Sequence, residues 1–251
     1  MPGHMLLARL GKKVLRPGGL ELTERMLAAL AIGPDDDVVE FAPGRGATAR
    51  LALAGHPRSY VGIEADAAWA ARLAETFAGD ASVRMEHANA GATGLADATA
   101  TVVYGEAMLT MQSTEQKARI VSEACRVLRS GGRYGIHELC IVPDGISDDA
   151  KAAIRRDLSL SIHVGARPLT EAEWRELFDE SGLTIETVEE APMHLLEPRR
   201  VVRDEGLWRS LGIARRALGD RAARKRIQEM RKVFHKHADN LAAVAMVAVK
   251  R

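Results

Sequence analysis

A carboxylate and closely spaced glycines occur together in the stretch 38–48. An apolar run with Glu40 near its end is followed by Gly44 and Gly46. The run predicts a buried strand, and the glycines predict a tight turn in which a ligand can lie against the backbone. A helix that begins after such a turn points its free N–H groups at the ligand. The stretch therefore predicts a site for a nucleotide-type cofactor.

Two types of cofactor are compatible with this turn. Gly44, Gly46 and Ala49 approach the GxGxxG/A spacing of dinucleotide sites. A pyrophosphate favours a loop without a carboxylate, whereas Glu40 suits a cofactor that carries an ammonium or sulfonium charge. A tight strand–helix turn that binds nothing is the structural alternative.

A second acid, Glu64, ends the next apolar run, 59–64. A carboxylate at this position can accept hydrogen bonds from both hydroxyls of a ribose, whichever cofactor carries the ribose. The alternative is an acid that caps the following helix, although Asp66 suits that cap better. Glu64 is therefore a candidate for cofactor binding.

Together these motifs resemble those of the class I S-adenosylmethionine (SAM)-dependent methyltransferases. The family's first motif, (D/E)xGxGxG, is matched at Glu40, Gly44 and Gly46, with Ala42 in place of the first glycine and Pro43 after it. The resemblance extends over residues 37–141. It implies SAM as the cofactor and S-adenosylhomocysteine as its product.

The resemblance also implies roles for residues after later strands. Asn89 occupies the position of an aspartate that binds the adenine amino group, although it could be an ordinary turn residue. Glu106 would lie beside the methionine moiety. Residues 94–103 resemble the family's LPFxDxxFDVV run without its aromatics, and residues 128–132 resemble its LKPGG turn. The implied cofactor-binding set is Glu40, Ala42, Pro43, Gly44, Gly46, Glu64, Ala65, Asn89, Ala90 and Glu106.

The implied chemistry is an in-line displacement, in which a lone pair of the acceptor attacks the methyl carbon. The protein would chiefly align the reactants and exclude water. A hydroxyl acceptor needs a base, whereas a thiol or amine needs less help. The candidate bases are His137 and Glu138, near the end of the fifth predicted strand, and His163, near the end of a later helix. Each could instead be a hydrogen-bonded structural residue.

Strands and helices alternate from Asp37 onward, which predicts an α/β fold with a doubly wound, mostly parallel sheet. We expect Thr23 to cap a helix that reaches Ile32. Capping boxes at Ser113 and Thr170 predict two later helix starts, and the glycines of 130–132 should end the first of these helices. Seven strands are predicted, at 37–41, 59–64, 82–87, 100–106, 133–141, 183–189 and 241–249.

Two helical stretches interrupt the predicted sheet after strands five and six, in the manner of a cap on a Rossmann-like methyltransferase fold. We interpret 1–251 as a single domain with an N-terminal helical lid over about 1–32 and cap insertions over about 142–169 and 197–238. The stretches 5–16 and 200–237 are amphipathic and basic. A solvated helix face is the usual explanation of such charge, and a docking surface for an acidic substrate, a phospholipid headgroup or RNA is the alternative. We expect both stretches to serve the lid or cap and a self-association surface, such as a homodimer contact.

The composition narrows the functional class. With 251 residues and 47% hydrophobic content, the chain can form one large domain or a domain with a sub-domain. Its net charge of +1 gives no long-range attraction to nucleic acid or to an anionic membrane. Cys125 and Cys140 indicate neither a disulfide framework nor a metal site. No spanning segment or signal peptide is predicted.

We therefore expect a cytoplasmic enzyme that methylates a small-molecule acceptor, with no metal and no nucleic acid partner. Two alternatives stay open at this point. One is an NAD(P)-dependent oxidoreductase that uses the same glycine turn. The other is a SAM-binding protein without transfer activity, because no catalytic base is certain from the sequence.

Overall fold

The computed structural model describes residues 16–193 and 219–251, together with Gly3, Leu6, 9–11, Gly212, Arg215 and Arg216. The strands are β1 (Asp37–Phe41), β2 (Ser59–Glu64), β3 (Val83–His87), β4 (Ala100–Glu106), β5 (Leu128–Ile141), β6 (Leu169–Thr170), β7 (Leu183–Pro192) and β8 (Leu241–Lys250). The α-helices of this part of the chain are α1 (Gly19–Leu30), α2 (Ala47–Leu53), α3 (Ala67–Phe77), α4 (Thr114–Val127), α5 (Asp148–Ile162), α6 (Glu171–Glu180) and α7 (Arg221–Lys236).

The strands form one sheet in the order β3-β2-β1-β4-β5-β8-β7, and the short β6 pairs with the end of β5. The first five strands are parallel, whereas β8 runs antiparallel between β5 and β7. The predicted α/β fold with a mostly parallel sheet is confirmed, with β6 as an additional strand. Because β2 and β4 flank β1 on opposite sides, the winding reverses between β1 and β4, where open α/β sheets bind ligands.

Apolar side chains cover both faces of the sheet. On one face, Val121 of α4 and Phe178 of α6 belong to a cluster with Ile136 of β5. On the other face, Leu22 and Met26 of α1 pack with side chains of the neighbouring strands. Burial on both faces explains the almost continuous apolar sequence of β8, whose residues 241–248 are all buried.

Several helix starts follow the local sequence signals. Asp66 caps α3 by accepting a hydrogen bond from Trp69 N at 2.9 Å. Ser113 caps α4. The capping box of Thr170 and Glu173 is complete at the start of α6, because each side chain accepts from the other residue's backbone N–H. These predictions are confirmed.

Two local predictions are wrong. Helix α1 begins at Gly19, so Thr23 is a fully buried residue inside the helix instead of its cap. Helix α4 ends at Val127, before the predicted glycine stop, because Leu128 already pairs with Ala100 of β4. Gly131, with φ 75°, lies in an irregularity of β5 before regular pairing resumes.

The described part of the cap lies at the carboxyl edge of the parallel strands. Ile154 and Leu158 of α5 pack against Ile141, at the end of β5, and Leu241, at the start of β8. Helix α7 lies beside α5. Its residues Ala223 and Met230 form a further apolar cluster with Leu6, Leu10 and, on α5, Ile162. Of the predicted lid and cap, residues 194–211 and most of 1–15 lie outside the described residues, and residues 19–30 form the core helix α1. The proposed roles of lid and cap stay predictions.

Candidate cofactor-binding site

The Gly44 turn lies where the winding of the sheet reverses. Ala42, directly after β1, has a positive φ of 54°, which is uncommon for a residue with a side chain. A methyl group added to Gly44 would meet no atom nearer than Ala42 O at 3.8 Å. At Gly46 the same methyl group would lie 3.0 Å from Leu73 and 3.1 Å from Phe77 of α3. A ligand can therefore approach Gly44, whereas Gly46 allows α2 and α3 to pack closely. Pro43, between Ala42 and Gly44, is buried.

Glu64 reaches this turn from the end of β2. One oxygen, Oε2, accepts from Gly44 N at 3.1 Å, and the other, Oε1, accepts from Asp66 N at 3.1 Å. The residue is 8% exposed. An ionised carboxylate has about four lone-pair sites, so two backbone bonds leave capacity for ligand hydroxyls. The helix cap belongs to Asp66, and Glu64 is an oriented acid beside an open turn.

Asn89 and Ala90 follow β3 at the same edge. The side chain of Asn89 is exposed, and its Oδ1 accepts from Gly91 N at 2.8 Å. This bond closes a local turn and leaves the Asn89 NH₂ group as a donor. Ala90 is buried, and Ala65 lies across the edge, with its carbonyl oxygen 3.2 Å from His87 Nε2. The predicted adenine contact of Asn89 stays a prediction.

Glu40 points into the sheet interior. Its Oε2 accepts from Tyr104 OH at 2.7 Å and from Tyr60 OH, and the residue is 3% exposed. Burial raises the pKa of Glu40 to about 7, against the opposing effect of the two tyrosine hydrogen bonds. These bonds give Glu40 a structural role in the β1–β2–β4 interior. Its direct contact with a charged cofactor stays a prediction.

Glu106 ends β4 inside a buried polar network. Its carboxylate accepts from Arg16 Nη1 at 2.8 Å and from the hydroxyls of Thr23 and Thr48, and it lies 3.0 Å from His137 Nδ1. Burial alone would raise the pKa of Glu106. The positive charge of Arg16 and the hydrogen bond with His137 outweigh burial and lower this pKa to about 2. Glu106 is therefore an ionised carboxylate that is held beside the Gly44 turn.

No sequence motif indicates that Arg16, Thr23 and Thr48 belong to this network. Arg16 is the last residue of the basic N-terminal segment, and its partner Glu106 is 90 positions away. One signal was available for Thr23. It lies between Leu22 and Met26 on the apolar face of α1, where a polar side chain needs a buried partner.

The first two candidate bases are fully engaged with protein groups. His137 is buried; its Nε2 donates to Pro17 O and its Nδ1 faces Glu106. Glu138 points to the other sheet face, where its carboxylate accepts from the backbone N–H groups of 108–110 and from the Thr110 hydroxyl, at 2.6–3.1 Å. Burial raises the pKa of Glu138. These contacts favour the structural alternative for both residues.

The third candidate base, His163, is exposed at the C-terminal end of α5, where it adopts φ 56°. The structure thus places the three candidates in three separate environments instead of one constellation. A catalytic role for any of them stays a prediction.

A buried lysine joins the cap to the sheet edge. Lys117 of α4 is 1% exposed, and its Nζ donates to Gln112 O at 3.1 Å and to Arg167 O at 2.7 Å. Burial lowers the pKa of Lys117 to about 8. Arg167 N also donates to Thr110 O at 2.7 Å. These bonds fix the loop after α5 to the connection between β4 and α4.

Known proteins resemble this chain across the residues of the site. A family model described as a methyltransferase domain matches residues 38–132, which include the Gly44 turn, Glu64, Asn89 and Glu106. An uncharacterised protein of Haemophilus influenzae is 30% identical over 252 residues, covering 99% of this chain and 98% of that protein. The chain belongs to the class I SAM-dependent methyltransferases.

Solved structures share the fold of this methyltransferase over most of its length. The [4+2]-cyclase SpnF has a TM-score of 0.72 at 18% identity, with 99% of this chain and 94% of that chain covered. Geranyl diphosphate C-methyltransferase from Streptomyces coelicolor A3(2), solved with Mg²⁺, geranyl diphosphate and S-adenosyl-L-homocysteine, has a TM-score of 0.65 at 18% identity. That match covers 91% of this chain and 78% of the other. A cyclase and a methyltransferase on one fold show that the fold does not determine the reaction.

The described parts of this methyltransferase contain neither a candidate metal site nor a candidate membrane span. Within 16–193 and 219–251, no group of three or more His, Cys, Asp or Glu side chains is placed to hold a metal ion. Over the same residues, no helix has both the length and the apolar content that crossing a bilayer requires.

Proposed function

We propose that this methyltransferase binds SAM over the Gly44 turn and transfers its methyl group to a small-molecule acceptor. The observation that carries this proposal is the open space over Gly44, which is bordered by the oriented carboxylate of Glu64. Gly44 follows β1 at the switch point of the sheet, where nucleotide cofactors bind in α/β folds, and Glu64 reaches it from the end of β2.

The residues around the turn fit the separate parts of SAM. Glu64 has lone pairs for the ribose hydroxyls, and Asn89 with Ala90 lies on the side expected for adenine. The amino-acid end of SAM is a zwitterion, and Glu106 and Arg16 offer one ionised partner for each of its charges. When bound, SAM supplies a methyl group that is activated by its positively charged sulfur.

The chain's own contribution is alignment and exclusion of water. The acceptor's lone pair forms the new bond to the methyl carbon while the carbon–sulfur bond breaks, and any acceptor proton is released. Since His137 and Glu138 are engaged with protein groups, their contacts favour an acceptor that needs little help from a base, such as a thiol or an amine.

Two observations support a small acceptor. The described cap helices lie at the carboxyl edge of the sheet, next to the proposed cofactor site. A structural neighbour was solved with the small molecule geranyl diphosphate. We infer that the acceptor binds between the cap and the Gly44 turn.

Isothermal titration with SAM, S-adenosylhomocysteine and NAD(P)H tests the cofactor. We expect heat from the first two and none from the nicotinamide cofactors. Glu64→Ala should weaken SAM binding by about 2–3 kcal/mol, because a charge-assisted contact is lost. Gly44→Val should weaken it at least as much by filling the open space.

Glu86→Ala on β3 is the control, because this partly exposed acid pairs with Arg84 away from the turn. Its SAM affinity should equal that of the wild type. Unchanged affinity in both Glu64→Ala and Gly44→Val would move the cofactor site elsewhere. Transfer of labelled methyl groups to a panel of small thiols, amines and hydroxyl compounds then separates a transferase from a protein that only binds SAM.

A further inference from the structure

Helix α7 concentrates positive charge that the rest of the chain does not have. Residues 221–236 contain seven Lys and Arg and one Glu, a net charge of +6, whereas the whole chain has a net charge of +1. The remaining residues therefore sum to −5. Such separation produces a local positive field even though the protein as a whole is almost neutral.

The two faces of α7 have different surroundings. Ala223 and Met230 on the apolar face are buried against the N-terminal residues Leu6 and Leu10 and against Ile162 of α5. The apolar face of α7 is therefore already buried within the protein.

The opposite face of α7 is exposed and cationic. Arg221, Arg224, Arg231 and Lys232 are exposed, and no acidic partner contacts them in the described chain. Other cations of the helix have partners, since Lys236 bonds to Asp157 at 2.7 Å and Lys225 lies 3.9 Å from Glu229. With about 1.5 Å of rise per residue, the unpaired cations extend over roughly 16 Å.

An exposed apolar side chain lies on the neighbouring helix but outside this face. Leu160 of α5 is 69% exposed, the one large hydrophobic residue so exposed among those that the structure describes. Leu158 and Ile162 of α5 pack with apolar residues of α7. Leu160 is two residues from each of them and lies on the opposite side of α5, because helix residues two apart do not share a face. We call the four unpaired cations the cationic surface of the cap.

We propose that the cationic surface docks on the anionic surface of a lipid bilayer. Basic residues near such a bilayer strengthen binding by about fivefold each. Single-stranded nucleic acid would favour aromatic platforms for its bases, and Phe234, the aromatic residue of α7, is on its apolar face. This proposal does not depend on the assignment of the cofactor.

Flotation with vesicles tests the proposal. Wild-type protein should float with vesicles that contain about one-third phosphatidylglycerol and not with pure phosphatidylcholine, and binding should fall steeply as salt rises above about 150 mM. The triple variant Arg224→Gln, Arg231→Gln, Lys232→Gln should lose about a hundredfold in vesicle affinity. Leu160→Ala, on the side of α5 away from α7, should leave the vesicle affinity unchanged.

A charge-matched control is Arg25→Gln, Arg84→Gln, Arg175→Gln, which removes three exposed arginines outside the surface. It should bind vesicles as the wild type does. Both triple variants should keep the wild-type melting temperature and SAM affinity, which shows that they fold. Equal losses in the two triple variants would reduce the effect to net charge and overturn the proposal. Tighter binding of single-stranded RNA than of vesicles, or a change of oligomeric state in the first variant, would also overturn it.

Discussion

Glu40 and Glu106 are two buried glutamates on neighbouring strands, and their pKa values shift in opposite directions. Glu40 accepts from the neutral hydroxyls of Tyr60 and Tyr104, and its pKa is raised, mainly by burial, to about 7. Glu106 lies beside the Arg16 guanidinium, which outweighs the effect of burial and lowers its pKa to about 2. Burial is common to both sites, so the charge of the partner decides the direction in which each pKa shifts.

This difference separates two tasks at the end of the sheet. Glu40 connects β1 to β2 and β4 through its hydrogen bonds, and this arrangement is most stable when the acid is neutral. The Glu106 site keeps one negative and one positive group in place beside the Gly44 turn, which suits a ligand that carries both charges. A sequence motif that contains an acid does not by itself indicate which task the acid has.

Of the changes at these two glutamate sites, removal of Arg16 should cause the largest loss in the free energy of unfolding. Arg16→Met leaves the Glu106 carboxylate buried without its cation, and loss of one partner of a buried ion pair costs about 3–5 kcal/mol. We expect a loss of that size in the free energy of unfolding from urea denaturation at pH 7. Arg58→Met, which breaks the exposed pair with Asp37, should change stability far less. Equal losses in the two variants would show that Glu106 does not need Arg16.

Neutralisation of Glu40 should produce the next largest effect. Because its folded pKa is above its ordinary value of 4.5, its contribution to stability is complete below pH 4.5 and is lost as pH rises through about 7. Glu40→Gln should remove this loss and make the protein more stable than the wild type at pH 8, by up to about 3 kcal/mol. Denaturation from pH 4 to pH 8 measures the difference. Parallel stability curves for the two proteins would show that Glu40 has an ordinary pKa.

Loss of one tyrosine hydroxyl should have the smallest effect. Tyr60→Phe removes a donor that lowers the pKa of Glu40, so the wild-type loss of stability should move to higher pH. The hydrogen bond itself contributes about 1 kcal/mol. Tyr134→Phe is a matched control, because Tyr134 OH is buried without a hydrogen-bond partner among the described residues. If Tyr134→Phe costs as much as Tyr60→Phe, the effect belongs to packing and not to the hydrogen bond.

The sequence predicted features that depend on neighbours in the chain. β1, β2 and β4 have the predicted bounds, and Asp66 and the Thr170–Glu173 pair begin helices as expected. Alternation, caps and glycine turns are local patterns, so they can be recognised without knowledge of the fold.

Features that depend on distant contacts were predicted less well. Arg16 and Glu106 are 90 positions apart, and the carbonyl groups that Lys117 contacts include one 50 positions away. No local pattern encodes such pairs. The two glycines of the motif also have different roles, because Gly44 faces open space and Gly46 permits helix packing. The sequence marks both glycines equally, and only the packing of α3 distinguishes them.

The position of β8 has a consequence for the chain during its synthesis. Residues 241–250 pair on one side with β5 and on the other with β7, although β7 precedes them in the sequence. Until a ribosome has released this segment, β5 exposes an unpaired edge and β7 has no partner strand. Unpaired edges attract other strands, so the growing polypeptide passes through a period in which it is prone to aggregate. Chaperone binding to nascent chains that end before residue 241 is the expected sign of that period.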